Sequence, residues 1–225
     1  MVDAHLAAQA GCRRARARRQ RPRSPFAARL PEAIRTRFEH VVCVVAESNA
    51  WPYSGEKAGL RHELVHWVAR RLATGETFDA VVAPQKPLAP STVDRTGLSE
   101  ERLRAGTPCA EALAAFGRFL RPGDVICSWG HYAPEVFEEA GGTLPAERID
   151  LRATARRLSK EKAGRLEEYA GRIAPGATAA PLPDGRGGRR LGMLEAIVRA
   201  WRAMAALGTP ESPGGGWEGT APRGV

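Results

Sequence analysis

The chain has 225 residues, of which 43% are hydrophobic and 26% charged, with a formal net charge of +9. That length suits one domain of ordinary size plus tails, and no apolar run approaches the roughly eighteen residues needed to cross a bilayer, so no membrane contact is expected. The charge is uneven: eight arginines and one aspartate give residues 1–30 a balance of +7, leaving +2 for the rest.

Residues 1–37 read as a basic, disordered tail. The run RRARARRQRPR has no apolar periodicity and cannot build a core. It has the character of an electrostatic arm for nucleic acid or another polyanion, of an arginine-rich organelle-targeting segment, or of a solvated tail. Order is expected from residue 38. HVVCVVAES (40–48) is a β-branched apolar run and predicts a central strand buried on both faces. NAWPYSGEKAG is punctuated as a loop. LRHELVHWVARRL (60–72) and FDAVVAP (78–84) flank the turn ATGET in the layout of a hairpin.

QKPLAPSTVDRTG is polar and Pro-rich. Residues 98–120 then predict a short helix, a turn and a longer helix, with Thr107 as the cap of the second and Pro108 at its first position. GDVICSW is another buried strand, parallel to the first because a helical crossover separates them. HYAPEVFEEAGG is a helix stopped by glycine, and RIDLRATARRLSKEKAGRLEEYAG is helical after its first residues. The last helix, 189–208, carries Leu191, Leu194, Val198, Trp201 and Ala205 on one stripe. Residues 38–208 therefore form the domain, and residues 209–225 a disordered tail. Strands mixed with helices place the chain in the α/β or α+β class.

The four cysteines, Cys12, Cys43, Cys109 and Cys127, form no C-x-x-C pair and read as free thiols of a reducing, cytoplasmic compartment. HELVH (62–66) carries the most overt chemistry. On a helix, His62 and His66 would share a face and ligate zinc while Glu63 activates water. A third ligand is missing: Ala69 and Leu72 stand where an extended zinc motif has glycine and histidine. A zinc metallopeptidase is one alternative, and it requires a helix over residues 60–72.

Taken in order, HVVCVVAES, RHELVHWVARRLATGETFDAVVAP, PLAPSTVDRTGLSEERLRAGTPCAEALAAFGRFL, DVICSWGHYAPEVFEEAG, IDLRATARRL and GMLEAIVRAWRAMAALG make residues 40–207 resemble the DEDD superfamily of 3′–5′ exonucleases. The similarity is to the branch with sporulation-inhibitor-like and histone-mRNA-exonuclease-like proteins. It implies an α/β, ribonuclease-H-like fold, a mixed five-stranded sheet flanked by helices, and it makes HELVH a strand. It also implies two Mg²⁺ or Mn²⁺ ions, held by Asp-x-Glu on the first strand, an Asp after the fourth strand and an Asp on the last helix, with a His or Tyr as base. Alternation along a strand aims both carboxylates of Asp-x-Glu at one site, and paired hard cations need several carboxylate oxygens.

Residue by residue, the resemblance places Val45 at the first Asp, Glu47 at the second acid, Ala133 at the third, Glu195 at the last and Arg190 at the base. Glu47 and Glu195 remain as catalytic and metal-ligand candidates, Arg190 as the altered base position, and Trp129, His131 and Tyr132 as substrate-binding candidates. Blander roles exist for each: a strand end for Glu47, a helix surface pair with Arg199 for Glu195, packing for Trp129. The implied protein is a catalytically degenerate exonuclease-fold domain with weak or absent Mg²⁺ or Mn²⁺ binding, whose partner is nucleic acid (DNA or RNA) or a protein. The alternatives are an atypical exonuclease using Glu47, Glu195 and Glu135, and the zinc hydrolase.

Overall fold

The computed structural model describes residues 25–51, 62–159, 162–176 and 182–207. The tails 1–24 and 208–225, with the arginine-rich run, and most of the NAWPYSGEKAG loop lie outside the described residues.

Five strands form one sheet among these residues: β1 (Val41–Asn49), β2 (Glu63–Arg71), β3 (Thr77–Val81), β4 (Val125–Ser128) and β5 (Arg148–Asp150), in the order β3-β2-β1-β4-β5. β1 pairs antiparallel with β2, and β2 with β3; β1 pairs parallel with β4, and β4 with β5. This is the mixed five-stranded sheet that the resemblance implies. β3 meets only β2, so the hairpin extends the sheet to its edge, and β1 takes the centre between β2 and β4.

All nine residues of β1 are buried, and alternation divides them between two cores. Val42, Val44 and Ala46 pack with Leu64, Trp67, Phe116 and Phe137 beneath α5 (Cys109–Phe119) and α6 (Tyr132–Glu139). Cys43 and Val45 face the long helix α9 (Gly185–Leu207). Its Leu191, Leu194, Ile197, Val198 and Trp201 are fully buried, the stripe expected of a helix laid flat on a sheet. Burial of these five side chains contributes on the order of 2 kcal/mol each.

Several elements depart from the sequence reading. The folded region starts before residue 38. Helices α1 (Pro25–Arg29) and α2 (Glu32–Thr36) bring Leu30, Ala33 and Ile34 into the α9-side core. The Pro-rich stretch contains a short helix, α3 (Thr92–Thr96), ahead of α4 (Glu100–Arg104). Thr107 is not a cap: its backbone bridges Val82 at the sheet edge, and Pro108 caps α5. The long helical segment splits into α7 (Leu151–Ser159) and α8 (Leu166–Ile173), with Gly164 at φ +68 in the break. At the far end of β2, Arg71 and Asp124 form a buried two-pronged ion pair, with Nη2 to Oδ2 at 2.9 Å.

Candidate functional site

The first turn of α9 sets the site. Gly187 lies against β2, where a Cβ would stand 2.9 Å from His66 Nδ1, and a Cβ on Gly188 would stand 1.7 Å from the Pro183 carbonyl oxygen. Gly187 thus lets the helix descend onto the end of the sheet, and Gly188 lets its first turn close against the Pro183 carbonyl. Below it, period-2 alternation turns Val45 and Glu47 toward α9, and Glu47 pairs across the sheet with His66. Arg186 and Arg190, one turn apart, come down over Glu47. Arg190 Nη1 is 3.6 Å from Glu47 Oε1, and Arg186 Nη1 is 3.9 Å from Oε2. Glu167 of α8 flanks both guanidinium groups, 3.3 Å from Arg190 Nε and 3.8 Å from Arg186 Nη2.

These charges attract without docking. Glu47 Oε1, Arg190 Nε and His66 Nδ1 are all buried without a hydrogen-bond partner. The Glu47 side chain is 4% exposed, and burial raises its carboxyl above the usual range; Arg186, Arg190, Arg95 and His66 oppose that shift. The other ring nitrogen of His66 is fixed by Asp79, 2.8 Å away.

Beside this cluster lies a cavity of about 130 Å³, lined by Val45, Ala133, Trp129, Tyr132, Leu194 and Arg190 among others. The Tyr132 hydroxyl hydrogen-bonds Ser48 Oγ. Trp129 packs on Tyr169 with ring centroids 5.3 Å apart. His131, next to Tyr132 in the chain, is exposed and lies 3.7 Å from Asp150. Asp150 accepts hydrogen bonds from the amides of Gly130, Arg152 and Ala153, which ties the Trp-Gly-His turn to the start of α7.

Glu195 does not join this group. Arg70 (3.0 Å) and Arg199 (2.8 Å) hold its carboxylate. Arg70 pairs with Cys43, four residues along β1 from Glu47, so the Glu195 carboxylate is held further along the sheet, away from the Glu47 cluster. The α9 residue that faces Glu47 is Arg190, five residues earlier, so a cation occupies the place at which an acid was expected. Glu135 also fails to reach the cavity. It is exposed on α6, two residues and about 200° around the helix from Ala133.

HELVH is strand, not helix, from Glu63 onward. His62 meets the edge of Tyr132 at 6.0 Å, whereas His66 lies under Gly187. Four residues of strand separate the two histidines by about 13 Å, so they cannot share a zinc ion. Glu63 accepts the backbone amides of Gln85 and Lys86 instead. Among the described residues no group of three or more His, Cys, Asp or Glu is placed to hold a metal. The cavity's lining holds no carboxylate and includes apolar Val45, Ala133 and Leu194, and Glu47, two residues along β1 from Val45, is already faced by two guanidinium groups. Such a set does not fit a pair of divalent ions.

Sequence reasoning missed Arg186, Glu167 and His66 as neighbours of Glu47. The only sequence signal was the glycine pair ahead of Arg189 and Arg190, which marks a close approach.

No profile of a known protein family matches the sequence, and no curated protein matches it. Solved structures do match in fold. The nuclease domain of 3′hExo, a DEDDh family member bound to rAMP, superposes with a TM-score of 0.59 at 14% identity, over 77% of this chain and 95% of that one. Exonuclease X in complex with 5′ overhanging duplex DNA gives 0.55 at 13%, over 74% and 93%. S. pombe Pop2p in its Mg²⁺- and Mn²⁺-bound form gives 0.54 at 12%, over 75% and 83%. The chain has the ribonuclease-H-like fold of the DEDD exonuclease domains.

Proposed function

We propose that this domain is a catalytically degenerate member of the exonuclease fold that binds nucleic acid without cleaving it. One observation carries the reading: the pocket beside Glu47 has no carboxylate in its own lining, and Glu47 itself is faced by Arg190 and Arg186. Mg²⁺ requires octahedral oxygen ligation and gives up its waters reluctantly. Val45 and Ala133 supply no oxygen, and the guanidinium groups repel a second cation, so Mg²⁺ and Mn²⁺ bind weakly or not at all. Arg190 also stays protonated and cannot serve as a general base.

The nucleic-acid partner is favoured by what the fold's neighbours hold, rAMP in one and duplex DNA in another. No helix among the described residues is long and apolar enough to cross a membrane. Cys43 and Cys127 are buried free thiols, in keeping with a reducing, cytoplasmic setting. Binding of single-stranded RNA and DNA, measured with and without a chelator, tests the reading. The expected result is equal affinity in both conditions and full recovery of intact oligonucleotide. Affinity that disappears on chelation contradicts it.

A further inference from the structure

We infer that the space beside Glu47 is an oxyanion site, in which Arg190 and Arg186 take a phosphate group directly. The inference rests on the non-cleaving reading and names the chemical group that this pocket takes.

Three features point the same way. First, the arginines are held near carboxylates but not used up by them. All four guanidinium–carboxylate approaches lie between 3.3 and 3.9 Å, and Arg190 Nε makes no hydrogen bond. A guanidinium fork matches two oxygens of a phosphate in a way that these loose contacts do not satisfy. Second, the local balance favours an anion. The charged groups around Glu47 are Arg186 and Arg190 of α9, Arg95 of α3 and Glu167 of α8, three cations against two carboxylates. Burial pushes Glu47 toward its neutral form, which widens the imbalance, and the positive end of the α9 dipole adds to it. Third, the space is the right size. The cavity that Arg190 lines measures about 130 Å³, well above the roughly 10–15 Å³ that one water needs, so a tetrahedral oxyanion fits.

The fully buried His66 pairs with Glu47 across the sheet and lies under the first turn of α9. Asp79 fixes its Nε2, and the unpartnered Nδ1 faces the Gly187 turn. A terminal phosphate, or a phosphodiester turned into the cavity, satisfies donors that the protein leaves open.

The test uses the full-length protein at fixed ionic strength, with inorganic phosphate and two versions of one single-stranded oligonucleotide, ending in a 3′-phosphate or a 3′-hydroxyl. Titration calorimetry should show phosphate binding that weakens about tenfold or more in Arg190→Gln and in Arg186→Gln, the loss expected for a charge-assisted hydrogen bond. Glu47→Gln, which removes the competing carboxylate, should tighten binding severalfold. Arg186 is 36% exposed, so its variant folds even if Arg190→Gln does not; thermal unfolding checks both. Preference for the 3′-phosphate places a terminal phosphate in the pocket, and equal binding of both oligonucleotides with the same arginine dependence places an internal phosphodiester there. Phosphate and oligonucleotide affinities that ignore both arginine substitutions overturn the oxyanion site while leaving non-cleaving binding intact. Metal-dependent degradation of the oligonucleotide overturns the underlying reading instead.

Discussion

Glu47 is where the chemistry of the chain is most exposed to measurement. Its folded-state carboxyl is raised by burial, so it holds its proton to higher pH in the native state than in the unfolded chain. Its contribution to stability is therefore fully present below about pH 4.3, the ordinary glutamate value, and is lost as pH rises through the raised native value. Melting temperatures of wild type and Glu47→Gln between pH 4 and 8 should diverge, with wild type losing ground as pH rises; a constant difference contradicts the buried-acid description. Val45, Glu47 and Ala133 were singled out by the family resemblance, and strand alternation accounts for Val45 and Glu47 facing the same side. The placement of Glu195 away from them was not legible, because the register of α9 against the sheet depends on how deeply its first turn docks, and Gly187 sets that depth through contact with a residue far away in sequence. The observed register also decides how metal binding could be restored. Val45→Asp, Ala133→Asp and Arg190→Asp together place three new carboxylates around Glu47 and should create Mn²⁺ affinity detectable by calorimetry. The same first two changes with Arg190 retained should not.

At the scale of elements, the docking of α9 is the feature that positions the site. Gly187→Ala pushes a methyl to 2.9 Å from His66, an overpacking that should cost about 1–3 kcal/mol in denaturant unfolding. The sheet end opposite the site has its own anchor. Removing Asp124 leaves Arg71 buried at 1% exposure and without its two-pronged partner, so Asp124→Ala should destabilise by about 3–5 kcal/mol. Strands β1 and β4 were readable from apolar, β-branched runs alone, whereas β2 stood between helix and strand until the hairpin layout and the family resemblance made it strand. Residues 150–171 read as one helix because their composition is helical throughout. The two helices end and begin at Ser159 and Leu166, with Gly164 left-handed between them, and a propensity sum does not see such a position. HELVH shows the opposite case: a motif spelled for a helix becomes strand because β1 and β3 pair with it on both sides.

For the whole molecule, the order of elements along the chain carried the fold, since strand order and crossover rules leave few ways to arrange these segments. The start of the domain did not follow from composition. Residues 25–37 are basic and Pro-containing, yet they hide Leu30, Ala33 and Ile34 beneath α9, and short apolar pieces interrupted by arginine and proline are a weak signal. The central claim is that the scaffold has kept its shape while its metal chemistry has gone. The direct measurement is degradation of 5′-labelled single-stranded RNA and DNA by purified protein with Mg²⁺ and with Mn²⁺, resolved to single nucleotides. Intact substrate under all four conditions is the predicted result. A metal-dependent ladder shortening from the 3′ end, abolished by Glu47→Gln, would contradict it.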